Sequence, residues 1–475
     1  LKQLFPVFFG FLFLVACSGK DERPVAEAVS AFINGNENVV SFGSMDLQSI
    51  LNKAEYKSIP KIGNLIQERL GNVLNTKSPI YYVLEGPFVK NGNPASTYAF
   101  FDLTSKDSLV ELLGSSGLYI EESGEMKYNL NGDVSIGIRG NLAILITRKE
   151  EYDGKKELEA AFEKTTGDVS GGKTDQLLAK KNDVNMNICF ENLYGTSNTS
   201  LAGLSEARQK EVKAMVDDSY MHSDINFENG KMVLRTENIF SAALQKRMFF
   251  KEDAQASVRS KLGKGKVCLG IAGNFEMSRI ESIIDDFAPE LKDKLFSART
   301  ETALAAMILG DNPLTKVFSG VAGIVIVGDP RMTGFTPEVN FNLGLGSEGK
   351  PFVTAAAAAS SFGKRFNYSI TDTDLIASSP NAGAGQNTLI IPDCGSNFGK
   401  EGITAFADFE NMDLQSFGLP MKYKYVGIMK NITFRMNNKG SEFVINALDP
   451  NKNILKQLVD LYIKDIEKQV SAVAI

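Results

Sequence analysis

The chain has 475 residues, is 43% hydrophobic and 23% charged, and carries a net charge of −6. That is enough apolar material for two or three folded domains, and it excludes a disordered or fibrous chain. Acids outnumber Lys and Arg with no basic cluster, which excludes a phosphate-backbone binder, and with His222 as the single histidine no His-built metal site can be assembled.

The chain opens LKQLFPVFFGFLFLVAC, with Lys2 its one charge before Lys20. A basic start, an apolar core and a small residue before a cysteine have the layout of a secretory signal, too short for a membrane-spanning helix. Leu14-Val15-Ala16-Cys17 resembles the lipobox of bacterial lipoproteins. It implies a signal peptide over residues 1–16 and lipid on Cys17, and several lipid chains together make a lasting anchor. Lys20, Asp21 and Glu22 follow directly and resemble the surface-export signal of Bacteroidota lipoproteins. The expectation is an outer-membrane location, surface-exposed, with a periplasm-facing orientation as the alternative.

Residues 17–34 read as a lipidated tether that runs into a first helix or turn. Residues 35–165 read as a first α/β domain. Val39–Gly43 is a short strand, and Ser44 or Asp46 can cap the helix after it. Residues 59–74 place Ile62, Leu65, Ile66, Leu70 and Leu74 on one helical stripe. Two extended runs, 80–84 and 96–103, flank the turn residues Asn91-Gly92-Asn93-Pro94, and Thr104 or Ser105 can cap the next helix. Strands at 127–131, 134–138 and 142–147 are separated by Asn131-Gly132-Asp133 and Gly140-Asn141, and a charged helix follows over 150–164.

Residues 166–182 read as a Gly-rich linker. Gly167 to Thr174 fits the phosphate-binding pattern GxxxxGK[ST], but the residues before it read as a charged helix where a strand is required. No nucleotide is therefore expected, although Asp329 after an apolar run could supply the acidic partner. Residues 183–475 read as a second α/β region, divisible into two further related units. Its strands include 184–190, 266–273, 321–327 and 432–437, and helices are expected over 205–216, 277–287 and 451–467. Met45-Asp46-Leu47-Gln48-Ser49 recurs as Met412 to Ser416, and 268–283 is a looser copy. The fold class expected is α+β, with repeated strand–helix units, mostly antiparallel sheets and packed helices.

Chemistry-bearing residues form no recognisable constellation. Cys189 and Cys268 read as small buried strand residues. With Cys17 lipidated, the remaining three cysteines are an odd number without a CxxC pair, so no disulfide framework is expected. His222, in DDSYMHSD, reads as a surface residue. The pairs Asp217-Asp218 and Asp285-Asp286, and Asp372 with Asp374, lack calcium-loop spacing. No catalytic, cofactor or metal residue is assigned.

VVSFGSMDLQSIL, YYVLEG, YAFFDLTSKDSLVELL and NLNGDVSIGIRGNLAILIT, with the lipobox and acidic tail, resemble one Bacteroidota family of outer-membrane or surface lipoproteins of about this chain's length. The similarity runs from about residue 25 to the C-terminus. That family's shared domain has no assigned function, so the resemblance implies a membrane-surface setting and transfers no catalytic residue. The function expected is a non-enzymatic binding or accessory protein, held on the outer membrane by lipid and available to an outer-membrane protein complex, with no nucleic acid partner. The alternatives are a carboxylate-dependent surface hydrolase and a structural surface scaffold.

Overall fold

The computed structural model describes residues 23–59, 63, 71–88, 94–148, 152–169, 171–195, 204–251, 257–287, 291, 309–310, 312–328, 337–358, 360–380, 388–410 and 427–473. The protein is α+β, with antiparallel sheet dominating. Two compact units divide the chain: unit 1 runs through Glu228 and includes Ile239–Ser241, and unit 2 comprises Asn229–Asn238 and Ala242 onward.

Unit 1 holds β1 (Val39–Met45), β2 (Ile80–Phe88), β3 (Pro94–Asp102), β4 (Glu121–Ser123), β5 (Met126–Asn131), β6 (Val134–Arg139), β7 (Leu142–Arg148), β8 (Val184–Cys189) and β9 (Tyr220–Glu228). Their spatial order is β4-β5-β6-β7-β3-β2-β1-β8-β9, antiparallel throughout. Gly132 and Gly140 take positive φ in the tight turns on either side of β6. The core on one face joins Phe42, Val83, Tyr98, Phe100 and Ile144 to the helices Val25–Asn34, Gly154–Lys164 and Lys173–Leu178. Phe32 meets Tyr98 at 4.9 Å and Phe100 at 5.1 Å between ring centroids.

Three expectations change here. The tether assigned to 17–34 is too long, because Val25, Val29, Phe32 and Ile33 form a helical stripe that is buried in the core. The 166–182 stretch is no plain linker, since Thr174, Leu177 and Leu178 are buried on a helix of unit 1. Unit 1 also keeps β8 and β9, because β8 pairs with β1 along Ser41 to Met45. The helix expected over 59–74 falls largely outside the described residues.

Unit 2 holds β10 (Lys231–Ile239, apart from its last residue), β11 (Gly265–Asn274), β12 (Phe318–Val327), β13 (Glu338–Leu345), β14 (Asn367–Ile370), β15 (Asp374–Ser378), β16 (Leu389–Ile390), β17 (Ile403–Asp408), β18 (Met429–Asn437) and β19 (Gly440–Ala447). Their order is β14-β15-β13-β12-β11-β17-β18-β19-β10, all antiparallel, with the short β16 alongside β11 in parallel. From β6 to β9, unit 1 reads β6-β7-β3-β2-β1-β8-β9. Unit 2 reads β14-β15-β13-β12-β11-β17-β18, the same spatial sequence in the same chain order.

The covered face of the unit 2 sheet packs Val258, Leu262, Val267, Ala272, Val325, Val327, Phe398 and Phe406 together. Asp374 is buried beside this layer and receives hydrogen bonds from Lys261 Nζ at 2.7 Å, Thr373 Oγ1 at 2.6 Å and Asn342 Nδ2 at 3.0 Å. Burial alone would raise its pKa. The hydrogen bonds from Lys261, Thr373 and Asn342 outweigh it and hold the carboxyl below its ordinary 3.8. A depressed folded-state pKa adds stability that is present above the unfolded value and lost as pH falls through the folded one. The urea midpoint of unit 2 should therefore drop below about pH 4, and Asp374→Asn should flatten that drop; equal slopes for both proteins between pH 5 and pH 3 would contradict it.

Candidate interaction face

Cys17, Lys20, Asp21 and Glu22 lie outside the described residues, as do Asp329 and the Met412–Ser416 echo. Lys173 donates to Asp218 Oδ2 at 2.9 Å and to Asp218 O at 2.8 Å, and sits 5.1 Å from the Tyr220 ring centroid, while Thr174 is buried. Both are thus engaged within unit 1. The acidic pairs do not converge. Asp286 pairs with Arg247, Asp218 with Lys173, and Asp372 with Lys350 at 2.8 Å. Among the described residues, no three His, Cys, Asp or Glu side chains gather as metal ligands. No described helix is long and apolar enough to cross a membrane, which says nothing of strands.

His222 is buried, at 2% exposure, and not at the surface. Strand β9 begins at Tyr220, two residues before it, and its side chain shares a sheet face with Asn187 across the β8–β9 pairing. Asn187 Nδ2 donates to Phe42 O at 3.3 Å, which turns Oδ1 toward His222 Nδ1 at 2.8 Å. That oxygen only accepts, so Nδ1 carries the proton. Cys189 and Cys268 are buried strand thiols, Cys394 is half-buried, and none of the three is in a disulfide. Burial raises the Cys189 pKa and pushes Cys394 up to about 11, away from the reactive thiolate.

The surface feature that stands out is the second face of the unit 2 sheet. Directly opposed residues in antiparallel strands share a face. Following the register from β13 to β10 gives the row Phe341–Ile324–Ile271–Ala405–Phe434–Phe443–Leu234. The next row is Val339–Ile326–Leu269–Ala407–Ile432–Ile445–Met232. Every member of both rows is apolar and none is buried. Ile271 is 46% exposed and its cross-strand partner Ile324 39%. Phe341 closes one end, at 5.6 Å from both Phe362 and Phe366.

Past β17 the opposite side of this sheet is mixed, with Val444 and the buried Val233 beside polar and charged residues. Glu442 accepts from Arg235 Nε and Arg435 Nε, each at 3.1 Å, and Arg435 Nη1 reaches Glu401 at 3.4 Å. Attraction to Arg435 and Arg235 overcomes burial and lowers the Glu442 pKa, while Arg435 is raised for the same reason against its own burial. The alternation was readable in β18, where Ile432 and Phe434 interleave with Asn431, Thr433 and Arg435, and is broken in β19 by Val444 between Phe443 and Ile445. In β11 and β12 apolar residues occupy both faces, so the sequence does not tell the covered side from the half-exposed one.

No family model matches this chain, and no curated protein matches it. Among solved structures, crystal form III of TP0453 is similar at 6% identity, covering 47% of this chain and 81% of that one with a TM-score of 0.29. Crystal form I of TP0453 is 8% identical over 46% of this chain and 80% of that one, with a TM-score of 0.28. Overlap this low bears on neither fold nor function.

Proposed function

We propose that this protein is an exported outer-membrane lipoprotein, anchored by lipid on Cys17, that acts as a non-enzymatic interaction protein through the apolar face of unit 2. The observation that carries the docking role is the pair of seven-residue rows, apolar throughout and nowhere buried. Contiguous apolar surface of this breadth marks interaction sites more than it marks ordinary protein surface. The anchor and the surface location, with the outward side favoured over the periplasmic one, rest on the lipobox and on Lys20, Asp21 and Glu22. Nucleotide and nucleic acid are no part of this reading, and the engagement of Lys173 by Asp218 supports leaving nucleotide out.

We further propose that the two units are copies of one strand–helix unit. Their shared strand order supports this. So does the placement of Gly43 and Gly273, in the equivalent strands β1 and β11 and just ahead of a helix, Leu47–Lys53 and Met277–Phe287 respectively. The looser sequence copy over 268–283 falls on this second strand–helix pair.

Two measurements test the functional reading. Cys17→Ala should abolish processing and retention in the outer membrane; a variant still processed and held in the outer membrane would remove the anchor. Ile271→Asp and Ile324→Asp should each weaken capture of the partner from detergent-solubilised membranes by at least about tenfold, since burying one such side chain stabilises by about 1.5–3 kcal/mol. Unchanged capture with both variants folded would exclude the face.

A further inference from the structure

We infer that the partner seated on the unit 2 face is a second copy of this chain, related by a two-fold axis in a sheet-on-sheet packing. This rests on the reading of the face as a docking surface and commits it to one occupant. The relief of the face is the first argument. Strand β17 contributes only Ala405 and Ala407 to the two rows, so a trough runs along it. On one side stands a ridge of Leu269, Ile271, Ile324 and Ile326; on the other, one of Ile432, Phe434, Phe443 and Ile445. A two-fold contact is self-complementary, residue i meeting j and j meeting i. An axis offset from the trough sets the isoleucine ridge of each copy into the alanine trough of the other.

Charge is the second argument. Close to a two-fold axis a side chain lies near its own counterpart, so a charge there would meet its like at short range. The rows hold fourteen residues and not one charge. The charged ladder Arg235–Glu442–Arg435–Glu401 occupies the opposite side of the same strands.

Area is the third. With Phe341 closed off, six strands remain, spanning about 24 Å at roughly 4.8 Å per strand, and with a third, mixed row, Ala322–Gly273–Ile403–Met436–Ser441–Thr236, the face reaches about 20 Å along the strands. That is about 500 Å² in projection and more over the corrugated side chains, against the roughly 600 Å² per partner at which specific interfaces begin. Two such faces pack about 10 Å apart, their strands within about 30° of each other.

The test is the protein mass of the lipidated, full-length chain in detergent, by light scattering with the micelle contribution separated. Wild type should run as two copies at micromolar concentration. Ile271→Asp and Ile324→Asp should each raise the dissociation constant at least about tenfold, and Ile271→Val should keep the pair together. A wild type of single mass at tens of micromolar would overturn the inference, as would a dimer that survives both aspartates. A single-mass wild type that captures a different protein or retains phospholipid, and loses it on Ile271→Asp, would overturn the second-copy occupant while leaving the docking surface in place. Aspartate variants that change neither mass nor capture would sink both.

Discussion

Replacing Asp183 by alanine is expected to lower the melting temperature of unit 1 by about 10 °C. Asp183 is 2% exposed, and its carboxylate accepts from Ser49 Oγ at 2.6 Å, from Lys53 Nζ at 2.7 Å through both oxygens, and from the Phe227 backbone N–H at 2.6 Å. Its own carbonyl accepts the Asp46 N–H at 2.9 Å, at the start of the helix Leu47–Lys53. One side chain thus ties that helix to the β8 and β9 strands. Truncation leaves Lys53 and a backbone N–H without their acceptor inside the unit. Lys53 is 32% exposed and can turn to water, so the cost sits at the lower end of the about 3–5 kcal/mol for breaking a buried ion pair, and in a domain of this size each kcal/mol moves the midpoint by about 2–4 °C. Lys53→Met should be of similar severity, since it strands the carboxylate. A calorimetric shift under about 3 °C for both variants would show the pair to be dispensable.

That cluster also shows where the sequence could and could not be read. The strands at 127–131, 134–138 and 142–147 were legible because turn glycines bound short apolar alternations, and β5, β6 and β7 fall there within a residue or so. Helix caps were legible for the same local reason: Asp46 accepts from Ser49 N at 2.8 Å and Ser105 from Ser108 N at 3.3 Å. Asp183, Asn185, Asn187 and His222 were not legible as interior residues. Hydropathy assigns them to solvent, and only the pairing of β1, β8 and β9 supplies the partners that let them be buried. The unit boundary was hidden likewise. A glycine-rich stretch at 166–172 looks like a linker until the helix after it proves to carry Leu177 and Leu178 into the core.

The candidate face was half legible. Alternation in β18 marks one apolar side and one polar side, with Val444 of β19 on the second, and a local reading sends the apolar side to the core. Which side is covered depends on the helices and loops that pack there, Val258 and Leu262 on Gly323, for example, where an added Cβ would stand 2.5 Å from Val258 Cγ1. Such contacts are long-range and leave no local mark. The antiparallel order common to the two units was likewise beyond local pattern, because a five-residue echo at 45–49 and 412–416 points to a different pair of segments from the one that the strand order aligns.

Gly43→Ala should cost unit 1 about 3 kcal/mol or more, whereas Gly273→Ala should cost unit 2 about 1 kcal/mol. The two glycines hold matching places in their sheets, and what a methyl group would meet there differs. At Gly43 an added Cβ would lie 2.0 Å from the Asn185 carbonyl oxygen and 2.6 Å from the Tyr82 hydroxyl. The Tyr82 ring crosses the glycine so that its hydroxyl can donate to that same carbonyl at 3.1 Å, and burial raises its pKa well above the ordinary range. Backbone cannot step aside without opening the pairing of β1 with β8, which also carries the Asn187 Nδ2 bond to Phe42 O. At Gly273 the nearest atoms belong to the Phe275 ring, at 2.4 Å, and a side chain can turn away. Removing the ring in Gly43→Ala/Tyr82→Ala should recover little, because the Asn185 oxygen remains in place. Equal losses for the two alanine variants in urea unfolding, or full rescue by Tyr82→Ala, would mean that the β1–β8 backbone yields where this geometry says it is fixed.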